Sequence, residues 1–205
     1  EQLTRLFTRV GRIQFMLLML VLTGFVFVGE PFICAWGGEE YGAAYWIALL
    51  LIAPVTVPLI QNIGIEIQRA KNMHQFRSKV YFCMAIGNAL VSIPLGMKFG
   101  GIGCALGTAI SMIVGNGFIM NWYYQTHIGL DMRYFWKHIL SIVPAMLPAV
   151  ALGIIAVRLH TFTGYAGVVT FAVPYAAVYA VGLYLFAMDE SEKDMVRGVM
   201  TKIRR

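Results

Sequence analysis

The sequence predicts an all-α integral membrane protein with six transmembrane helices. Of its 205 residues, 59% are hydrophobic and only 13% are charged, and the mean hydropathy is +0.72. A soluble domain usually carries about 25% charged residues. The apolar residues are also gathered into runs of about 20, the length that an α-helix needs to cross the hydrocarbon of a bilayer. Composition and spacing together therefore favour a multi-pass helical bundle.

Six apolar segments follow one another and form a single predicted domain, 1–205. Their approximate limits are 13–35, 43–66, 78–97, 102–122, 138–157 and 165–187. At a rise of 1.5 Å per residue, each is about long enough to cross 30 Å of hydrocarbon.

The first segment follows three arginines, Arg5, Arg9 and Arg12, as the core of a signal peptide would. The apolar run is longer than such a core usually is, and no small-x-small cleavage site follows it. We therefore interpret 13–35 as a membrane span. Because the chain begins with Glu1 and not with Met, we expect it to be a fragment of a larger protein.

The second segment leads into a basic loop, QNIGIEIQRAKNMHQFRSKVYF (61–82). Four basic residues stand close together there: Arg69, Lys71, Arg77 and Lys79. An excess of Lys and Arg keeps a loop on the cytoplasmic side of a membrane. With six spans, the predicted loops place the basic residues on that side, and the two exceptions among the 16 are Lys98 and Arg158. The pattern predicts that both termini are cytoplasmic.

The third and fourth segments are joined by a turn of only a few residues, 98–101, which predicts a tight antiparallel hairpin. The fourth segment carries small residues at a spacing of four: Gly103, Gly107, Ser111 and Gly115. Small residues let two membrane helices approach closely. We expect this face to pack against the third segment.

The last two segments are followed by a tail of mixed charge, 189–205, with Met195, Val199 and Ile203 at helical spacing. The spacing predicts a short amphipathic helix along the inner membrane surface.

The sequence offers no catalytic, cofactor or metal site. The four histidines are isolated, and the three cysteines show neither a CxxC spacing nor an even number. HExxH, GxSxG and P-loop motifs are absent from the sequence. The net charge of +6 is explained by topology signals and lipid headgroups, so no nucleic-acid partner is expected. These observations argue against an enzyme.

Polar residues inside the spans are the candidate transport residues, because their insertion into lipid is costly. They are Glu30, Asn62, Glu66, Asn88 and Asn116. Glu30 is interpreted as a headgroup-level carboxylate or as a cavity-lining acid. Asn62 and Glu66 share one helix face and either line a wet cavity or end the helix. Asn88 and Asn116 either bond across a helix pair or line a hydrophilic path.

Three stretches of this sequence resemble the C-terminal half of a polysaccharide flippase of the O-antigen (Wzx) type, in the MOP exporter superfamily. They are GEPFICAWGGEEYGAAYWIALLLIAP (29–54), QNIGIEIQRAKNMHQFRSK (61–79) and KFGGIGCALGTAISMIVGNGFIMNWYYQTHIGLDMRYFWK (98–137). The resemblance implies a MATE-like half-bundle of six helices, within a transporter of twelve to fourteen helices in the bacterial inner membrane.

The same resemblance implies that the cargo is an oligosaccharide linked to undecaprenyl pyrophosphate. The other partners implied are membrane lipids and components of glycan polymerisation or export. Polar residues of a central cavity would hold the sugar and the pyrophosphate. The chain departs from this pattern because the sequence predicts no Lys or Arg deep inside a span.

Three alternatives stay open. A drug or cation antiporter of the same superfamily would need a buried coupling acid, for which Glu30 is the candidate. A non-transporting scaffold of a glycan-export complex would bury its polar residues between helices without a cavity. A membrane enzyme would need a large outer loop carrying acids or histidines, and every predicted outer loop is short.

Overall fold

The computed structural model describes residues 1–203, and it describes side chains for these residues except at 195, 196 and 199–203. This part of the chain is helical, without a strand. The helices are α1 (Gln2–Gly37), α2 (Ala44–Ile60), α3 (Asn62–Ala70), α4 (His74–Met112), α5 (Asn121–Tyr123), α6 (Met132–Leu140), α7 (Val143–Leu159), α8 (Gly164–Phe186) and α9 (Glu190–Ile203). Two π-helical stretches, Ile113–Met120 and Tyr124–Ile128, flank α5 without interrupting the helix.

Helix α1 begins at Gln2, well before the predicted start at residue 13. Its first half is not a loop because it packs into the bundle, where Phe7 and Phe15 are buried. Gly11 makes this packing close, since an added Cβ would lie 2.6 Å from the ring of Phe135. The prediction started the segment where the apolar run begins, but the helix starts about three turns earlier because its N-terminal residues also pack into the bundle.

The second predicted segment, 43–66, is divided into α2 and α3, whose axes differ by 41°. The break lies at Gln61, which has φ −104° and ψ 14°. Pro58 stands three residues earlier, and a proline inside a helix removes a backbone hydrogen bond. Pro58 therefore leaves the last turn of α2, just before the bend, without one backbone donor.

The hairpin between the third and fourth segments is confirmed. Helix α4 reverses direction at Gly100, which has φ 59° and ψ −139°. Glycine adopts this positive φ readily because it has no Cβ. The two legs of this helical hairpin, 74–99 and 101–128, run back along each other. An added Cβ on Gly103 would collide with the carbonyl oxygen of Leu95 on the first leg. The small-residue face therefore lies in the seam between the legs, as the spacing predicted.

Four helical stretches in the described residues are long and apolar enough to cross a membrane. They are Gln2–Gly37, His74–Ile128, Met132–Leu159 and Gly164–Phe186. The bent pair Ala44–Ile60 and Asn62–Ala70 adds a fifth if it is taken as one span. The predicted number of six is not confirmed, because two predicted segments belong to one stretch of 55 residues.

Basic residues join several helices at one end of the bundle. The α3–α4 turn there meets the turn before α6, where Lys71 Nζ donates to the carbonyl oxygen of Ile128 at 2.7 Å. Arg12 of α1 and Glu192 of α9 pair at the same end. We call this the basic end. Its assignment to the cytoplasm stays a prediction. The tail is helical, as α9, but its predicted place on the inner membrane surface stays a prediction, and Met195, Val199 and Ile203 lie outside the described side chains.

Candidate anion-binding pocket

A cavity of about 710 Å³ opens between α3 and the first leg of the hairpin at the basic end. Its lining consists of Ile65, Arg69, His74, Arg77, Ser78 and Tyr81. The four residues from α4 lie one turn apart, at i, i+3, i+4 and i+7, so a single helix face points into the cavity. The pocket is therefore polar and basic on its α4 side.

Arg77 is the best-positioned cation of the pocket. Its Nη1 donates to the hydroxyl of Tyr124 at 3.0 Å, and its Nη2 donates to the hydroxyl of Tyr81 at 2.7 Å. The guanidinium carbon also lies 4.9 Å from the centre of the Tyr81 ring, in the range of a cation–π contact. Two phenols thus fix the direction of the guanidinium plane.

Arg77 has no carboxylate partner among the described residues. Glu66, the nearest acid in sequence, pairs with Arg69 at 2.9 Å, and both of those side chains are about two-thirds exposed. The first turn of α4 also lacks a side-chain cap, so the free backbone N–H groups there favour an anion as well. The arrangement is chemically suited to a phosphate group, which accepts several hydrogen bonds from a guanidinium.

Tyr124 reaches Arg77 because α3 carries a glycine at the point of contact. An added Cβ on Gly64 would lie 2.6 Å from the Tyr124 hydroxyl oxygen. Tyr124 itself is only 1% exposed, so its ring is held on all sides by the bundle. The orientation of Arg77 therefore depends on packing between α3 and the second leg.

A polar stripe continues from the pocket along the first leg of the hairpin. The Tyr81 hydroxyl donates to Oδ1 of Asn116 on the second leg at 2.9 Å. Further from the basic end, Oδ1 of Asn88 accepts from Ser92 at 2.6 Å and from Thr108 at 3.3 Å. Hydrogen bonds between the two legs thus extend from the pocket into the apolar part of the hairpin.

The structure does not bring the predicted candidates together on one surface. Asn116 is buried in the seam with 2% exposure, and Asn88 is half-buried beside it. Asn62 and Glu66 are exposed on the face of α3 that also carries Ile65 and Arg69 of the pocket. The hairpin seam thus encloses the asparagine of the second leg, away from the exposed pair on α3, and the role of these residues in transport stays a prediction.

Glu30 lies far from the pocket, at the opposite end of the bundle. It is exposed and lines a separate cavity of about 340 Å³ with Tyr45, Trp46 and His160. This position places Glu30 outside the polar stripe, and its location at headgroup level stays a prediction.

Sequence reasoning missed two residues that organise this region. The sequence places Arg77 in a predicted loop, although His74, Arg77, Ser78 and Tyr81 have a helical spacing. Asn121 is not among the polar residues that the sequence singles out. Its Oδ1 accepts from Gln61 at 2.9 Å and from the indole N–H of Trp136 at 3.0 Å.

Asn121 also satisfies the backbone of the π-helical stretch. Its amide nitrogen donates to the carbonyl oxygens of Asn116 at 2.9 Å and Gly117 at 2.6 Å. Extra side-chain bonds of this kind are typical of places where a helix changes from α-helical to π-helical hydrogen bonding. Asn121 therefore links the bend after α2, the second leg and α6.

Within the described residues, no group of three His, Cys, Asp or Glu side chains is arranged to hold a metal ion. Comparison of the chain with protein families, with curated proteins and with solved structures found no match.

Proposed function

We propose that this chain belongs to a membrane transporter that moves a lipid-linked oligosaccharide from the inner to the outer leaflet. The observation that carries the proposal is the oriented Arg77 guanidinium, which has no acidic partner among the described residues, in a pocket of 710 Å³. A pyrophosphate-linked sugar presents to a transporter an anionic group, a polar glycan and an apolar tail. A basic pocket that continues into a polar stripe on a membrane helix suits the first two of these.

The proposed architecture is a MATE-like half-bundle of six spans in the bacterial inner membrane, with the basic end in the cytoplasm. Two legs of the hairpin, the bent pair α2–α3 and the three remaining long stretches would make up the six crossings. The uneven distribution of Lys and Arg supports the orientation. In this orientation the pocket faces the leaflet on which the lipid-linked precursor is assembled.

In the proposed role, the chain binds and moves its cargo without catalysing a reaction. Arg77 binds the phosphate, and Tyr81 and Tyr124 hold the guanidinium in place. The amide and hydroxyl groups of Asn88, Ser92 and Thr108 offer polar contacts further along the hairpin.

The test compares Arg77→Ala with Arg133→Ala, which removes an exposed cation elsewhere on the chain. Both variants are returned to cells that lack the gene, and the lipid-linked oligosaccharide in each leaflet is measured together with the amount of membrane-inserted protein. Losing a charged hydrogen-bond donor weakens binding by about 1.5–3 kcal/mol, so we expect Arg77→Ala to lower export about tenfold or more. Arg133→Ala should export normally.

Unchanged export in the gene deletion would refute the proposal, as would equal export by the two variants at equal protein levels. The antiporter alternative predicts a different result, because Glu30→Gln would then abolish efflux. The exposure of Glu30 disfavours that alternative. A scaffold without a transport path accounts for the buried Asn116, but it leaves the basic pocket without a role.

A further inference from the structure

A second cavity, of about 430 Å³, has a lining that shares no residue with that of the basic pocket. It is a groove between the two legs, and its lining includes Phe76, Lys79, Cys83, Gly87, Val91 and Val114. Lys79 stands near the basic end, and the residues beyond it are almost entirely apolar. The groove thus has one charged end and a long apolar body.

The length and volume of the groove fit a single hydrocarbon chain. From Lys79 to Val91 the first leg advances about 18 Å at 1.5 Å per residue. An α-helix of that length, with a diameter of about 11 Å, would occupy about 1,700 Å³. The groove holds about a quarter of this volume. A packed helix from another protein segment would therefore not enter it.

The floor of the groove is open at Gly87. A Cβ added there would meet no other atom within 4 Å, unlike the glycines of the seam, whose Cβ positions overlap the facing leg. Lys79 has neither a hydrogen bond nor an ion pair with any of the residues that the structure describes. The charged end and the apolar body of the groove thus both lack a partner.

We propose that this groove binds one acyl chain of an anionic glycerophospholipid, whose phosphate lies on Lys79. The polarity of the groove matches that of such a lipid, since a cation at headgroup level is followed by about 18 Å of apolar surface. A basic residue near a membrane surface contributes about 1 kcal/mol to the binding of an anionic lipid. The net negative headgroup distinguishes this occupant from a zwitterionic lipid. The site is independent of transport and of the basic pocket.

The experiment measures lipid retained on the purified full chain by native mass spectrometry. Phosphatidylglycerol is compared with phosphatidylcholine of the same acyl chains. Lys79→Gln is paired with Lys137→Gln, which removes an exposed cation outside the groove. Gly87→Leu is paired with Ala89→Leu, which adds the same bulk at an exposed position outside the lining. Since Gly87 faces open space, the leucine should not disturb the fold.

We expect Lys79→Gln to weaken phosphatidylglycerol binding about fivefold and to remove the preference over phosphatidylcholine. Gly87→Leu should abolish retention of both lipids, whereas Lys137→Gln and Ala89→Leu should behave as the unaltered chain does. Equal retention of the two lipids by the unaltered chain would overturn the proposal. So would equal behaviour of Gly87→Leu and Ala89→Leu, or a change in oligomeric state on Gly87→Leu without loss of lipid, which would assign the groove to a second copy of the chain.

Discussion

Arg12 and Glu192 form a buried ion pair that joins the first and last described helices, 180 residues apart in sequence. Nε of Arg12 donates to Oε1 of Glu192 at 2.9 Å, and the two side chains are 6% and 4% exposed. Arg12 also donates to the carbonyl oxygens of His138 at 3.1 Å and Ala187 at 2.7 Å. Hydrogen bonds from this one arginine therefore connect α1 to the end of α6, to the segment between α8 and α9, and to α9.

Glu192→Ala should destabilise the bundle by about 3 kcal/mol or more. Removing one member of a buried pair typically costs about 3–5 kcal/mol, and Arg12 would keep only the exposed carboxylate of Asp189 at 3.6 Å. The substitution also removes the acceptor for the backbone N–H of Asp189, which Glu192 now binds at 2.9 Å. The free energy of unfolding in mixed micelles measures the effect.

Glu190→Ala is the matched control for this prediction. Glu190 is 78% exposed and pairs with Lys193 at 3.1 Å on the surface of α9. An exposed pair of this kind contributes about 0.2–1 kcal/mol. If the two alanine variants lose the same stability, the buried pair does not hold the basic end together.

The hairpin is the element that the sequence predicted best, because its signals are local. A turn of four residues at 98–101 leaves no room for any connection except an antiparallel one. The glycine spacing then identifies the close face, since only a residue without a side chain permits backbones to touch. Gly107 meets the backbone of Ser92 in the structure, as this reasoning requires.

The basic pocket could not be predicted in the same way, because its geometry depends on contacts between distant residues. The charge of Arg77 pointed to a loop, yet its partner Tyr124 lies 47 residues later. Arg12 presented the same difficulty, since Glu192 supplies its compensating charge from the far end of the chain. Hydropathy locates the ends of spans, but it does not show which cations turn inward.

Gly107→Ala should separate the two legs of the hairpin and lower stability by about 1–3 kcal/mol. The new methyl group would lie 2.8 Å from Cα and 2.9 Å from the backbone nitrogen of Ser92. Backbone atoms move only with their helix, so the strain is that of an overpacked core. The measurement is the thermal midpoint in detergent micelles.

Gly87→Ala, in contrast, should raise the stability of the protein. No atom lies within 4 Å of a Cβ at that position, so alanine adds no clash. Alanine is also favoured over glycine inside a helix by about 0.8–1 kcal/mol. A loss of stability at Gly87 comparable to that at Gly107 would show that close packing in the seam is not what distinguishes the two glycines.

Asn121→Ala should cost about 2 kcal/mol, because one side chain satisfies four groups at once. The donors of Gln61 and Trp136 and two backbone carbonyls of the second leg would lose their partner. Hydrogen bonds inside membrane proteins contribute about 0.6 kcal/mol each. Unfolding in mixed micelles should therefore show a far larger effect than Asn62→Ala, which alters an exposed asparagine on α3.

A double-mutant cycle sharpens this prediction. Gln61→Ala removes one of the donors that Asn121 accepts, so its cost should be partly absent once Asn121 is alanine. Asn62→Ala shares no partner with Asn121, and its effect should add to that of Asn121→Ala within about 0.3–0.5 kcal/mol. Full additivity of the changes at 61 and 121 would mean that the bend after α2 is not held by the second leg, and Pro58 alone would then have to account for it.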